Sequence, residues 1–287
     1  PYDYTEIATP VVDNHMIASY RNEKNETVYL DAVGSYTPYG YPTGFIQGKQ
    51  ALIRKSRHQY EVGRVPIMPK EKNLKEEKLH MVLNGTKLIG KGSVKTKGYS
   101  KLDFVYPLIS KNLKEQTTSL EEIIEKGSNK FKIQRASFDG LNNRDKSLKI
   151  DYDFTIEDYV KRAGGEVYVN LNLDKKLKNS KLDIEKRKGI SVEYEYKIYE
   201  KNETELKIPE GFEISYLPMN SSYINDEFGF SIEYEKAAGK VIMKKEVYIN
   251  TLMLTSSSFE DWNNMIRILN KAYKDVLVLK ENIKKNQ

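Results

Sequence analysis

A histidine and an aspartate lie on the two arms of one predicted β-hairpin early in the chain. The first arm is Val12-Asp13-Asn14-His15-Met16-Ile17-Ala18-Ser19-Tyr20, and the second is Thr27-Val28-Tyr29-Leu30-Asp31-Ala32. His15 and Asp31 are the residue types that general-base chemistry requires. An imidazole takes a proton from a nucleophile, and a carboxylate on its other nitrogen orients the ring. A thiol is mostly protonated near neutrality, so a cysteine nucleophile depends on such a base. The 287 residues contain no cysteine, so the nucleophile this pair would serve is not among them.

The hairpin must hold the pair in place. Apolar and aromatic runs over 16–20 and 27–31 flank the polar turn Asn22-Glu23-Lys24-Asn25-Glu26, which is a hairpin signal. If Tyr20 pairs with Thr27 or Val28, the register sum is 47 or 48, and His15 falls opposite residue 32 or 33. An even sum puts His15 and Asp31 on one face, because strand side chains alternate, and an odd sum puts them on opposite faces. The sequence leaves the register open, but the two residues are neighbours in either case.

Three stretches carry a family likeness: Asn14-His15-Met16-Ile17-Ala18, Tyr29-Leu30-Asp31-Ala32 and Tyr36-Thr37-Pro38-Tyr39-Gly40-Tyr41. Together with Gly48-Lys49-Gln50-Ala51-Leu52-Ile53 they resemble the end of the transglutaminase-like, papain-like core of a bacterial, Bacteroidetes-type family associated with the cell envelope. That resemblance implies a cysteine enzyme acting on an amide or peptide bond, by hydrolysis or acyl transfer. His15 would be its general base and acid and Asp31 the orienter. Asn14 would position the His strand or help polarise the site, and an upstream cysteine would attack. Members of the family resemble one another in an N-terminal β domain, a central core and a C-terminal β domain of unknown function. The implied first partner is therefore the upstream part of the same polypeptide, and the chain alone is expected to be an inactive C-terminal fragment. The likeness also implies export to the periplasm.

Composition narrows the rest. Lys and Arg number 47 against 41 Asp and Glu, giving a net charge of +6 and a pI near 9.0. The basic residues are interleaved with acidic ones, as in Lys70-Glu71-Lys72-Asn73-Leu74-Lys75-Glu76-Glu77-Lys78, so no nucleic-acid partner is expected. No apolar run approaches the roughly 20 residues a membrane helix needs. The three histidines, His15, His58 and His80, form no metal-ligand spacing, and no cofactor or metal is expected. A Gly-x-Ser-x-Gly elbow is absent, which argues against a serine hydrolase.

The 21 tyrosines and 9 phenylalanines favour strands. The expected fold is mainly β (α+β): a remnant of a transglutaminase-like core sheet over 1–70, then an antiparallel β-sandwich over 71–287 with a long C-terminal helix. A subdivision near 115–145 is possible. The loop 34–48, dense in Gly, Pro and aromatics, fits both a cleft lining and a loop packed on the core. Asn84-Gly85 predicts a two-residue hairpin turn, and Gly90 and Gly92 a bulge. Lys101–Leu108 reads as a strand. Capping patterns at Thr118–Glu122 and Thr155–Asp158 predict two short helices. Ser191–Glu200 reads as the strongest strand, with Val192, Tyr194, Tyr196 and Ile198 on one face. Ser258 is the expected N-cap of a helix whose stripe is Phe259, Trp262, Ile266, Leu269 and Tyr273. Ile208-Pro209-Glu210-Gly211-Phe212, the Phe228-Gly229-Phe230 strand and this helix resemble the family's C-terminal signature. The other reading of 73–287 is a non-catalytic binding or scaffold module of the envelope, docking a protein, peptide or glycan.

Overall fold

Short runs of β-branched and aromatic residues around polar turns give two small hairpins first. They are β1 (Ala18–Arg21) with β2 (Thr27–Leu30), and β3 (Gln50–Arg54) with β4 (Tyr60–Arg64). The computed structural model describes Tyr4, Glu6 and residues 15–282. Tyr29, Ile46 and Val65 form a small core for the hairpins, backed by Ile17, Ala51 and Ile53.

The larger part is mainly β and is organised around one long mixed sheet. Strict alternation makes β5 (Leu74–Asn84) and β6 (Lys87–Thr96), followed by α1 (Tyr99–Leu108) and α2 (Leu113–Ile123). Then come β7 (Phe131–Asp139), β8 (Leu148–Ile156), β9 (Lys161–Ala163) and β10 (Glu166–Val169). A four-residue α3 (Ile184–Arg187) and β11 (Val192–Glu193) lead to β12 (Ile198–Lys207), β13 (Phe212–Tyr216) and β14 (Ser221–Ile224). The chain continues through β15 (Phe228–Ala237), β16 (Lys240–Ile249), β17 (Met253–Leu254), α4 (Phe259–Ala272) and β18 (Leu277–Glu281).

Eight strands pair in the order β14-β15-β16-β12-β5-β6-β8-β7, and four in the order β13-β18-β10-β9. One face of the eight-stranded sheet is apolar, with Leu79, Met81, Val94, Phe154, Phe230 and Met243 buried on it. The other is a charged face of alternating Lys and Glu. Helix α4 covers the apolar side at β14 and β15, burying Phe259, Trp262, Ile266, Leu269 and Tyr273 as its spacing predicts. Trp262 meets Phe228 edge-on at 5.2 Å and donates its indole N–H to the Ser180 carbonyl at 2.7 Å.

Several expectations are corrected. The sheet is mixed, because β5 and β12 run parallel from Leu74↔Tyr199 to Met81↔Leu206. Lys101–Leu108 is helical: Lys101, Phe104, Val105 and Leu108 are buried at i, i+3, i+4 and i+7, a helix stripe inside an apolar run too short for its period to stand out. The capping box belongs to Asn112 and Glu115, and its N-cap lies six residues before Thr118. Thr155 and Ile156 end a strand, and Asp158 sits in the following turn at φ 50°, so no helix starts there. The alternation of Ser191–Glu200 is split between β11 and β12, with Tyr194 and Tyr196 packing on Trp262 and Tyr99. Ser258 occupies the N-cap position, but its hydroxyl donates to Glu227 and makes no cap bond. The β5–β6 loop is Gly85–Thr86, with Gly85 at φ 63°. Gly90 and Gly92 mark no bulge. They leave room for the rings of Phe154 and Tyr152, their register partners on β8.

Asn73 anchors the start of β5 to the larger part. It is fully buried, donates to the Lys197 carbonyl at 3.0 Å and accepts the Tyr99 N–H at 3.2 Å. The Tyr99 hydroxyl donates to the Pro42 carbonyl, and the Gln47 amide donates to the Glu195 carbonyl at 2.6 Å. The loop over 34–48 is thus fixed to the start of α1 and to the segment before β12.

Ions lie under the middle of the sheet. Lys126 meets Glu77 at 2.8 Å with both side chains almost wholly buried, and Glu77 also accepts from Tyr152 at 2.8 Å and Asn202 at 3.2 Å. Beside them, Glu200 pairs with Lys176 at 2.8 Å and Lys75 at 3.3 Å, and Asp174 faces Lys75 at 3.7 Å. Burial opposes ionisation of Asp174 and Glu200. The lysines around them more than offset it and hold both carboxyls below their ordinary values. Such groups stabilise the fold above the unfolded carboxylate pKa of about 4, and that contribution is lost as pH falls towards the folded values. The urea midpoint is therefore expected to drop between pH 6 and pH 3, whereas an unchanged midpoint would deny these carboxyls that role.

Candidate active site

The pairing of β1 and β2 runs from Ala18↔Leu30 to Arg21↔Thr27, an even register sum. Carried beyond the strand end, that register leaves His15 and Asp31 on one face. Their side chains meet directly, His15 Nε2 to Asp31 Oδ2, at 2.7 Å. The neutral ring donates Nε2–H to the carboxylate, so the lone pair lies on Nδ1. This is the tautomer a base needs. The His15 side chain keeps 22% of its surface exposed while that of Asp31 keeps 2%. The carboxylate is closed off and the imidazole remains reachable.

Three further groups fix the pair. The Thr43 hydroxyl donates to the same Oδ2, and the Val33 N–H donates to Oδ1 at 3.0 Å. Phe45 stands edge-on to the imidazole with ring centres 5.0 Å apart. Burial works against the Asp31 charge, but the Thr43 hydroxyl, the Val33 N–H and His15 outweigh it and hold the carboxyl below its usual value. The carboxylate therefore stays ionised next to the base across the neutral range.

Thr43 and Phe45 were not singled out from the sequence as site residues. Their signal lay in the loop over 34–48, which supplies both. Thr43→Val removes one hydrogen bond from a buried charge, so a stability loss of about 1.5–3 kcal/mol is expected, with Thr43→Ser largely restoring it. Chemical denaturation of the three proteins measures this, and equal midpoints for Val and Thr would exclude the bond.

The same loop forms one wall of a cleft of about 320 Å³. Thr37, Thr43 and Phe45 face it from the loop, and Tyr99, Asp103 and Tyr196 from the larger part. Thr43 and Phe45 thus touch the dyad and the cleft alike. Other loop aromatics pack: Tyr36 lies edge-on to Tyr106 and Tyr41 edge-on to Tyr99. Both sequence readings of the loop describe a part of it.

The remaining candidates lie elsewhere. His58 is on an exposed turn, and His80 is on the charged sheet face 3.6 Å from Glu205. Asn14 lies outside the described residues. No helix among the described residues is long and apolar enough to cross a membrane.

A family profile described as a domain of unknown function with a solved structure (DUF3858) matches residues 165–279. That stretch runs from the β9–β10 turn into β18 and contains neither His15 nor Asp31. No curated protein and no solved structure matches the chain significantly.

Proposed function

We propose that this chain supplies the base and its orienter to a transglutaminase-like cysteine enzyme that cleaves or transfers amide bonds. The observation that carries the reading is the 2.7 Å bond from His15 Nε2 to a closed-off Asp31, which leaves Nδ1 reachable. The likeness of residues 14–53 to the end of such a core supports it. The nucleophile comes from polypeptide outside these residues, since they hold no cysteine. In the reaction, Nδ1 takes the thiol proton and the thiolate attacks the amide carbonyl carbon. The imidazolium then gives its proton to the leaving nitrogen as the C–N bond breaks. Water or an amine next attacks the thioester and His15 takes its proton; the C–S bond breaks, the acyl group leaves as acid or new amide, and His15 returns the proton to the sulfur. The same likeness supports action in the bacterial periplasm or at the cell envelope.

The test begins with the intact mass and N-terminal sequence of the protein from its native host. A longer form carrying an upstream cysteine is expected to turn over amide substrates, and His15→Ala is expected to lower kcat at least 100-fold. The 287-residue chain alone is expected to be inactive. Amide hydrolysis by that chain, lost on His15→Ala, would overturn the assignment of the nucleophile.

A second reading, a binding module, draws on the charged face of the large sheet. A groove of about 370 Å³ crosses β5, β12, β16 and β15 there, lined by Glu76, Lys78, Lys201, Glu203, Lys244 and Glu246. On the same face Lys70 covers the Tyr199 ring at 3.8 Å. The residue at the upstream nucleophile position discriminates: cysteine favours the enzyme, and any other residue favours the module.

A further inference from the structure

The cleft beside the dyad has a one-sided lining. Among the described residues its charged groups are Asp103 and Glu195, and no Lys, Arg or His faces it, although Lys and Arg outnumber Asp and Glu by 47 to 41 in the chain. Its walls are aromatic. Tyr99 and Tyr196 stack with ring centres 5.4 Å apart and 25° between planes. Tyr106 and Phe45 keep 51% and 42% of their surface exposed, so aromatic area is presented to whatever enters.

The acidic groups are placed for an incoming ligand. Tyr196 Oη donates to Asp103 Oδ2 at 2.5 Å, which fixes the carboxylate, and Oδ1 has no hydrogen bond among the described residues. Glu195 packs its Cβ against Gly44 on the opposite wall. Neither carboxylate is in an ion pair among the described residues. Asp103 is exposed at the cleft, and the partial loss of hydration there raises its pKa. Tyr196, Lys176 and Lys75 work against that rise, and Glu200 adds to it. A ligand cation would relieve the cost of holding this charge.

Aromatic faces and a carboxylate edge together select cations. A guanidinium fits better than an ammonium, because it is planar, stacks on tyrosine, is more weakly hydrated and presents paired N–H groups to a carboxylate. We propose that this cleft is a recognition pocket for a guanidinium, the arginine side chain of a polypeptide, held by Asp103 and Glu195 between Tyr106 and Phe45. The volume of about 320 Å³ is enough for one such side chain. The proposal extends the reading of the dyad, because Thr43 and Phe45 belong to both and would bring the bound chain to His15.

Binding is measured on the 287-residue chain, with no need for catalysis. The probes are an acetylated, amidated Ala-Arg-Ala peptide, its lysine and citrulline counterparts, and free agmatine. Calorimetry and NMR titration are expected to show the arginine peptide binding at least 10-fold more tightly than the citrulline peptide. It should also bind measurably more tightly than the lysine peptide. Asp103→Asn is expected to remove that preference. Tyr106→Ala, at an exposed position, is expected to weaken binding several-fold without disturbing the fold. Agmatine as tight as the peptide would support the guanidinium pocket with a free ligand as its source, and weaker agmatine binding would support a polypeptide source. Equal binding of arginine and citrulline peptides, equal binding of arginine and lysine peptides, or an unaffected Asp103→Asn would each overturn the proposal. The two ideas fail separately: a non-binding chain leaves the dyad untouched, and an inactive longer form leaves the pocket untouched.

Discussion

Replacing Lys126 by methionine is expected to lower the stability of the protein by about 3–5 kcal/mol, the usual consequence of removing one partner from a buried ion pair. The Lys126 and Glu77 side chains are 2% and 1% exposed, so water cannot replace the lost ammonium. Glu77 would keep the Tyr152 and Asn202 hydrogen bonds, which soften the loss without supplying a charge. Methionine conserves most of the volume, so the change isolates the electrostatic part from cavity formation. The double change Lys126→Met with Glu77→Gln takes away the stranded charge and is expected to recover a large share of the deficit. Urea unfolding of the four proteins gives the coupling directly. Additive single effects would mean that the two residues do not depend on one another.

The second large effect concerns Asp31. In a form of the protein that carries the nucleophile, Asp31→Asn is expected to reduce kcat by about 10³–10⁴ while leaving KM nearly unchanged. The substitution keeps the shape. Its amide can turn its NH₂ towards Nε2, which then becomes the acceptor and moves the ring proton to Nδ1. The base would be present but blocked on the side where the thiol must approach. Thr43→Ser, which retains the hydroxyl donor to Oδ2, is expected to cost less than about 10-fold. Steady-state kinetics over both variants separates an orienting role from a structural one. A loss below 10-fold for Asp31→Asn would remove Asp31 from the mechanism.

How much of this was legible in the sequence depended on which periodicity could be counted. The mainly β character, the strands β5, β6, β15 and β16, and the stripe of α4 all show two-residue or three-to-four-residue spacing over ten or more residues. Residues 101–108 of α1 read as a strand because Phe104, Val105 and Tyr106 in a short apolar run suit a strand on propensity alone. The parallel contact of β5 with β12 left no local trace, because the partners are separated by more than a hundred residues. The neighbourhood of His15 and Asp31 followed from a turn five residues long. Thr43 did not, because the bond it makes to Asp31 depends on how a Gly- and Pro-rich loop folds back, and no pattern encodes that path.

The parallel seam has a consequence for dissecting this protein. Strand β12 hydrogen-bonds to β16 on one side and to β5 on the other over Tyr199–Leu206. The stretch matched by the family profile starts at residue 165 and so includes β12 without β5. A piece excised on those borders would lay bare a raw edge eight residues long, with its amides and carbonyls free to recruit another copy. It would also take Lys75 away from Glu200, leaving Lys176 as its partner. The profile therefore marks a unit of sequence recurrence, while the sheet that β12 belongs to takes in β5 from Leu74 onwards.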